Sequence, residues 1–392
     1  MMKVKLNKLF YWSLVLQLIA TQGVMTFLFF KYLGNWELKK MVHPLSFLVF
    51  VSFFVIKAAK KISLSVLDLV FFGYFLIMFV VLLFNVRSLE PLYLVFREVY
   101  FLFILIFICS QIELNEKEWQ KILNLIFFLV IINSIFIILT NTMGPEAYMK
   151  MITDRYQWGT DQEYKFKISN FYKFWRSPAL IGDAASVGYF SALAYLFLDQ
   201  NEKYKKRKYV ALFPLFFSFV RSAYLVFFIY EFLKFFTKKK NLKILILIFK
   251  IGVPILVILF VSLAKYDIFS TASLYDRLYL WGNSIDVNYN VLFGGEIGNV
   301  GGGVRGQGFI ETIDSYWLFL LFSSGLTGIF LSMLFIYEKS KKTNKFMFIL
   351  ISFFLAGFLV SLTQSIVFLV LFPMLFIKIK ENSLELETNG DH

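Results

Sequence analysis

The chain has little with which to bind a transition metal or to run thiol or imidazole chemistry. Its 392 residues include one cysteine, Cys109, and two histidines, His43 and His392. A single cysteine inside an apolar run excludes a disulfide framework and a cysteine metal site. Two distant histidines make no ligand cluster and leave no Ser-His-Asp constellation. Asp161 and Glu163, in T-D-Q-E, imitate the spaced carboxylates of a divalent-ion site, and a solvated turn explains them better. No metal and no cofactor is expected. There is no internal repeat and no pair of matched halves, which weighs against an inverted-repeat transporter.

What is abundant is apolar. The chain is 59% hydrophobic and holds 51 phenylalanines, more than a soluble fold of this length can hide. Candidate spans cover 10–30, 43–56, 64–84, 92–110, 122–140, 179–198, 209–220, 222–236, 244–264, 316–337, 346–362 and 365–378. The first is too long for a signal segment and lacks a small-residue cleavage site, so it reads as an uncleaved span. The fold class is therefore an all-α polytopic membrane protein of about twelve transmembrane helices, two of them short. Residues 1–378 form one integral-membrane domain with outer loops at 141–178 and 265–315. Residues 379–392, polar and acidic, read as a disordered cytoplasmic tail. The net charge of +14 is no nucleic-acid signature, because most lysines lie in short loops where they set topology.

Arg221 is the only charge in residues 209–230, YVALFPLFFSFVRSAYLVFFIY. In a membrane it costs roughly 2.5–3.5 kcal/mol even on a lenient insertion scale. If 209–236 is a hairpin, Lys238, Lys239, Lys240, Lys243, Lys339, Lys341, Lys342, Lys345, Lys378 and Lys380 fall inside. Of the loop cations downstream of residue 236, only Lys265, Arg277 and Arg305 then fall outside. A single crossing reverses that ratio, so the positive-inside rule selects the hairpin and cytoplasmic termini. Arms of 12 to 15 residues reach about 18–22 Å, against a hydrocarbon core of about 30 Å. The tip is thus expected at the floor of a pocket open to the outside.

The outer loops supply further cations. Arg176 opens the stretch R-S-P-A-L-I-G-D. Arg277 lies four residues before Trp281. Arg305 sits within a run where eight of the fifteen residues from Gly294 to Gly308 are glycine. That run reads as a mobile loop, or as backbone that turns N–H groups toward an anion. Arg176, Arg221, Arg277 and Arg305 converge either on a phosphate or diphosphate or on local carboxylates such as Asp183, Glu296 and Glu311. Arg97 and Glu98 are neighbours on one helix, do not face each other, and each needs a partner elsewhere.

The order of these features resembles the Wzy-type polysaccharide polymerases, relatives of the O-antigen ligases. The likeness covers roughly residues 170–340. It consists of Arg176 and Gly182 ahead of a span, a hairpin with Arg221-Ser222 at its tip (in inverted order), and Asp276-Arg277 with Trp281. A glycine-rich stretch and D-S-Y-W-L-x-x-L-x-x-x-G-L-T-G from Asp314 to Gly328 follow. Ligases usually carry a histidine where this chain has Asp314, which favours a polymerase.

The resemblance implies a metal-independent enzyme similar to the multi-span glycosyltransferase C class, in the bacterial plasma membrane with its site facing out. Its substrate would be an undecaprenyl-diphosphate-linked oligosaccharide. Arg221 and Arg277 would hold the diphosphate and Asp314 would orient or deprotonate the acceptor hydroxyl. Arg176, Arg305, Arg97, Trp281 and Tyr316 would bind substrate. Partners would be the bilayer and the chain-length regulator and flippase of the same pathway, with no nucleic acid. A flippase or exporter of such lipids, or a ligase, are the alternatives.

Overall fold

A computed structural model describes residues 2–24, 47–49, 51–52, 62–86, 89–145, 147–148, 170–171, 174–237, 281–282, 289–300, 315–341, 346–358 and 360–380. It is mostly helical. Among the described residues four helices are long and apolar enough to cross a membrane: Val66–Asn85, Pro91–Ser110, Glu116–Met143 and Tyr316–Ser340. Four shorter apolar ones are Lys8–Ala20, Ala184–Asp199, Met347–Gly357 and Ile366–Phe376. The expected span 244–264 lies outside the described residues, as do parts of 10–30 and 43–56.

In chain order, α1 is Met2–Ala20 and α2 is Val66–Asn85. Helix α3, Leu89–Phe96, passes through a π turn at Arg97–Phe101 into α4, Leu102–Ser110. Helix α5 is Glu116–Met143 and α6 is Ala184–Asp199. The hairpin arms are α7, Leu212–Phe217, and α8, Arg221–Phe236. Helix α9 is Tyr316–Ser340, α10 is Met347–Gly357 and α11 is Ile366–Leu371.

The starts of these helices are written in their caps. Ser65 and Asp68 close a capping box on α2, and Asn115 and Glu118 do the same on α5. Asp183 caps α6, its Oδ2 accepting from Ser186 N at 2.8 Å. Helix α6 is the centre of the molecule. Every residue from Ser186 to Asp199 is buried, against α5, α7, α8 and α11. An all-round apolar helix needs such enclosure. Helix α2 instead exposes Val66, Leu69, Leu76, Ile77 and Phe84, a face suited to lipid and not to water.

Two features depart from a purely helical chain. Strand β1, Glu113–Asn115, pairs in parallel with β4, Lys378–Lys380. The strand takes in Ile379 and Lys380, which the sequence reading gives to the tail. Strands β2, Asn170–Phe171, and β3, Phe174–Trp175, pair antiparallel. Helix α9 is also interrupted: Gly325 has φ 64° and ψ −173°, which breaks the helix in the middle of an apolar run.

Segment ends that charge counting places on one side meet one another. Gln111 donates to Ser63 O at 3.2 Å. Lys339 Nζ lies 2.6 Å from Asp68 Oδ1. At the opposite end of α2, Asn85 Nδ2 donates to Gly295 O at 3.0 Å and Ile297 O at 2.7 Å.

Candidate functional site

The hairpin exists in the fold. Asp199 accepts from Lys208 Nζ at 2.7 Å, ahead of α7, and also from Lys234 near the end of α8. One carboxylate therefore touches both bases of the arms, and the chain between them must double back. Tyr230 OH adds a third bond to Asp199 at 2.6 Å, and Lys208 lies 3.8 Å from Glu231. The first arm is shorter than expected, since residues Arg207–Ala211 form a 3-10 turn before the six-residue α7.

The tip turns at Ser218, Phe219 and Val220, with Phe219 in the left-handed region at φ 51°. Tyr224 OH donates back to Phe216 O across the turn. Gly188 of α6 lies beneath it. A Cβ there would meet Val220 Cβ at 2.9 Å and both Ala223 Cβ and Ser218 Oγ at 3.0 Å. The glycine thus lets the tip rest directly on the central helix. Tyr189 OH and Ser222 Oγ, 2.8 Å apart, fasten the next residue. Arg221 becomes the first residue of α8, with its side chain exposed. It stands thirteen residues from Lys234, about 20 Å along the axis.

Arg176 arrives from a different direction. It follows β3 and begins a buried loop wedged between the end of α1 and α5. Thr140 Oγ1 and Ser177 Oγ lie 2.6 Å apart, and Tyr148 OH donates to Ala179 O at 2.7 Å. Leu180 N donates to Asn133 Oδ1 at 3.1 Å, and Asn133 Nδ2 donates to Gln22 Oε1 at 2.8 Å. Gly23 N and Val24 N donate to Ile181 O and Leu180 O. The loop therefore has its backbone satisfied by side chains and by neighbouring main chain, as a buried non-helical segment must.

These two scaffolds bring Arg176 and Arg221 together. Burial of Arg176 lowers its proton affinity, the nearby Arg221 charge lowers it further, and Tyr224 opposes both. Two guanidiniums within electrostatic range of each other, one of them on the first turn of a helix, make a locally positive region that favours anions. Guanidinium forks match phosphate oxygens, and they stay charged throughout the physiological range.

The other expected site residues are distributed as follows. Arg97 occupies the first position of the π turn, half-buried, and its Nε has no hydrogen-bond partner among the described residues. Tyr316 opens α9 and is buried; its hydroxyl is likewise unpartnered. Trp281 packs partly buried against the core. Arg277, Arg305 and Asp314 lie outside the described residues.

The glycine-rich stretch corrects one expectation as far as Val300. Residues 289–300 are docked on α9. Gly295 N and Glu296 N donate to Ser323 O and Phe322 O, and Leu326 N and Thr327 N donate to Val291 O and Leu292 O. A Cβ on Gly294 would lie 2.6 Å from Gly325 N. These glycines serve close backbone approach at the break in α9. The N–H groups of 295 and 296 are already spent and cannot form an anion nest. A separate cleft of about 340 Å³ lies between α2 and the 96–104 stretch, lined by Phe71, Phe75, Phe79, Phe96, Tyr100 and Phe103 among others.

Sequence reasoning missed Gln22, Asn133 and Gly188. The two amides did leave a signal, each being an uncharged polar side chain within an expected apolar span. No family model, curated protein or solved structure matches the chain.

Proposed function

We propose that this chain is a Wzy-type polysaccharide polymerase of about twelve spans, similar to the glycosyltransferase C class. It would act on the outer face of the bacterial plasma membrane. It transfers a growing glycan from its undecaprenyl diphosphate to a sugar hydroxyl of the next lipid-linked repeat unit. The observation that carries this reading is the pairing of Arg176 and Arg221 at the tip of a hairpin whose arms fall short of a full crossing. A lipid diphosphate is the membrane anion such a pair suits. The sequence resemblance over residues 170–340 supplies the reaction.

In this reading the bond from the sugar C1 to the diphosphate oxygen breaks as the bond to the acceptor oxygen forms. Arg176, Arg221 and Arg277, with Arg305, stabilise the charge that develops on the leaving diphosphate in a water-poor site. Asp314 takes the acceptor proton late, as positive character grows at C1. The phenylalanine-lined cleft beside the 96–104 stretch offers an apolar berth for part of the polyprenyl chain.

A carrier of the same lipid-linked glycans is the second reading. The break at Gly325 favours it, because transporters build their sites from interrupted helices. Reconstitution with lipid-linked repeat units separates the two. Ladders of increasing length, lost in Arg221→Ala, support the polymerase. Translocation without lengthening supports the carrier. Transfer of finished glycan to a different acceptor supports a ligase.

A further inference from the structure

A second polar zone adjoins the first turn of α6. Helix α10 stops at Gly357 and α11 begins at Ile366. The link contains a 3-10 turn, Leu362–Gln364, and that turn packs against the π turn Arg97–Phe101. Two irregular backbone segments thus meet inside a bundle of apolar helices. Irregular backbone in such surroundings is tolerated where it lines a cavity or is enclosed by protein, and π turns are frequent at functional sites.

The side chains at this junction are poorly satisfied. Thr363 is wholly buried, and its Oγ1 has no hydrogen-bond partner among the described residues. The same holds for Gln364 Nε2 and for Arg97 Nε. Buried polar groups in folded proteins are nearly always paired, because an unmade bond forfeits the full cost of desolvation. With Tyr100 OH, also buried and unpartnered on the π turn, four unpaired groups on two touching turns call for a ligand that pairs them. Arg97 and the Gln364 amide offer donors, and Thr363 offers a hydroxyl that donates or accepts. A ligand with many neutral oxygens fits this set better than a second diphosphate, since Arg97 is its one cation and the same π turn also carries the buried acid Glu98.

The zone is also tied to the arginine pair. Ser365 Oγ, the residue after Gln364, lies 3.0 Å from Ser186 Oγ in the first turn of α6. That turn is capped by Asp183, which ends the buried loop that Arg176 begins.

We infer that Arg97, Thr363 and Gln364 form a sugar subsite, which hydrogen-bonds hydroxyl and ring oxygens of the glycan whose diphosphate lies at Arg176 and Arg221. This rests on the reading of the substrate as a lipid-linked glycan. Thr363 and Gln364 thereby become binding residues that no sequence motif marks.

The test compares binding of two probes to the full chain in nanodiscs: repeat-unit lipid extracted from the native membrane, and undecaprenyl diphosphate without sugar. The wild type is expected to bind the sugar-bearing lipid more tightly. Thr363→Val and Gln364→Leu are each expected to reduce that preference about threefold to tenfold, the scale of one neutral hydrogen bond. Affinity for the bare lipid stays within about twofold. Arg221→Ala weakens both probes alike. Thr363→Val is also expected to keep or raise the melting temperature, because it removes a hydroxyl that the protein does not pair. Equal binding of the two probes by the wild type overturns the inference. So does a Thr363→Val variant that melts earlier yet keeps the preference, since the hydroxyl would then serve the fold. If Arg221→Ala binds both probes normally while the sugar preference persists, the diphosphate reading fails and the subsite stands.

Discussion

Replacing Asp199 by asparagine removes the charge that two lysines share while keeping the side chain's size. Lys208 is the partner that matters most: its side chain is 6% exposed, against 34% for Lys234. Stranding a buried cation costs about 3–5 kcal/mol when its partner is removed. Lys234 is partly solvated, so its share is discounted for screening. Asparagine can still accept from Tyr230. The lower end of that range, about 3 kcal/mol, is the expected loss.

Thermal unfolding in detergent, followed by tryptophan fluorescence, measures it against wild type. The double variant Asp199→Asn, Lys208→Met is expected to recover part of the loss, because it removes the stranded charge. Acid should reproduce the effect. Burial pushes the Asp199 carboxyl up, but hydrogen bonds from Lys208, Lys234 and Tyr230 outweigh it and hold the group below its ordinary range. A depressed carboxyl stabilises the fold fully above its unfolded value, about pH 4, and that contribution is lost as pH falls through the folded value. A single variant within about 0.5 kcal/mol of wild type, or a double variant less stable than the single one, would refute the claim that this cluster is desolvated and pins the hairpin.

Other outcomes follow from the same geometry. Arg221→Ala is expected to lower the rate of glycan lengthening by about 10²–10³, the scale for one electrostatic donor at a developing anion. Arg221→Lys should recover it only in part, since the two-pronged contact is gone; ladder length on gels reads both. Asn133→Ala removes the buried acceptor of Leu180 N and a donor to Gln22 Oε1 and should cost about 1–3 kcal/mol, seen as earlier melting. Gly188→Ala forces the hairpin tip off α6 and should cost about 1–3 kcal/mol of packing, partly offset by about 1 kcal/mol of helix propensity. Its activity should fall by more than its stability explains. Gly325→Ala places a Cβ 2.4 Å from Leu292 C at a positive φ, and should abolish folded expression in the membrane fraction.

The hairpin was legible because most lysines lie in short loops, and counting those downstream of residue 236 separates a hairpin from a single crossing. Arg176 was legible as a cation but not as a neighbour of Arg221. That pairing depends on the buried loop at 177–182, whose supports come from α1 and α5. The break at Gly325 was hidden because S-S-G-L-T-G sits comfortably in a helical reading. Only the docked strap at 289–300 shows why the helix opens there: its backbone groups replace the missing turn. Nearby glycines read as a mobile loop for the same reason, since close approach and flexibility leave the same letter in the sequence. Thr363 and Gln364 carried no pattern at all. Their interest comes from having no partner, which is a property of packing.

The enclosure of α6 has a consequence for biosynthesis. Four neighbours wall this helix, and α11 is made long after the other three. Until α11 emerges from the ribosome and slots in, the side of α6 that carries Ser186 has no Ser365 beside it. The late parallel pairing of β4 with β1 then ties the newest residues to a segment threaded far earlier. The packing of α6 is therefore complete only once α11 has been made, and a chain truncated before Ile366 is expected to be degraded faster than one that contains it.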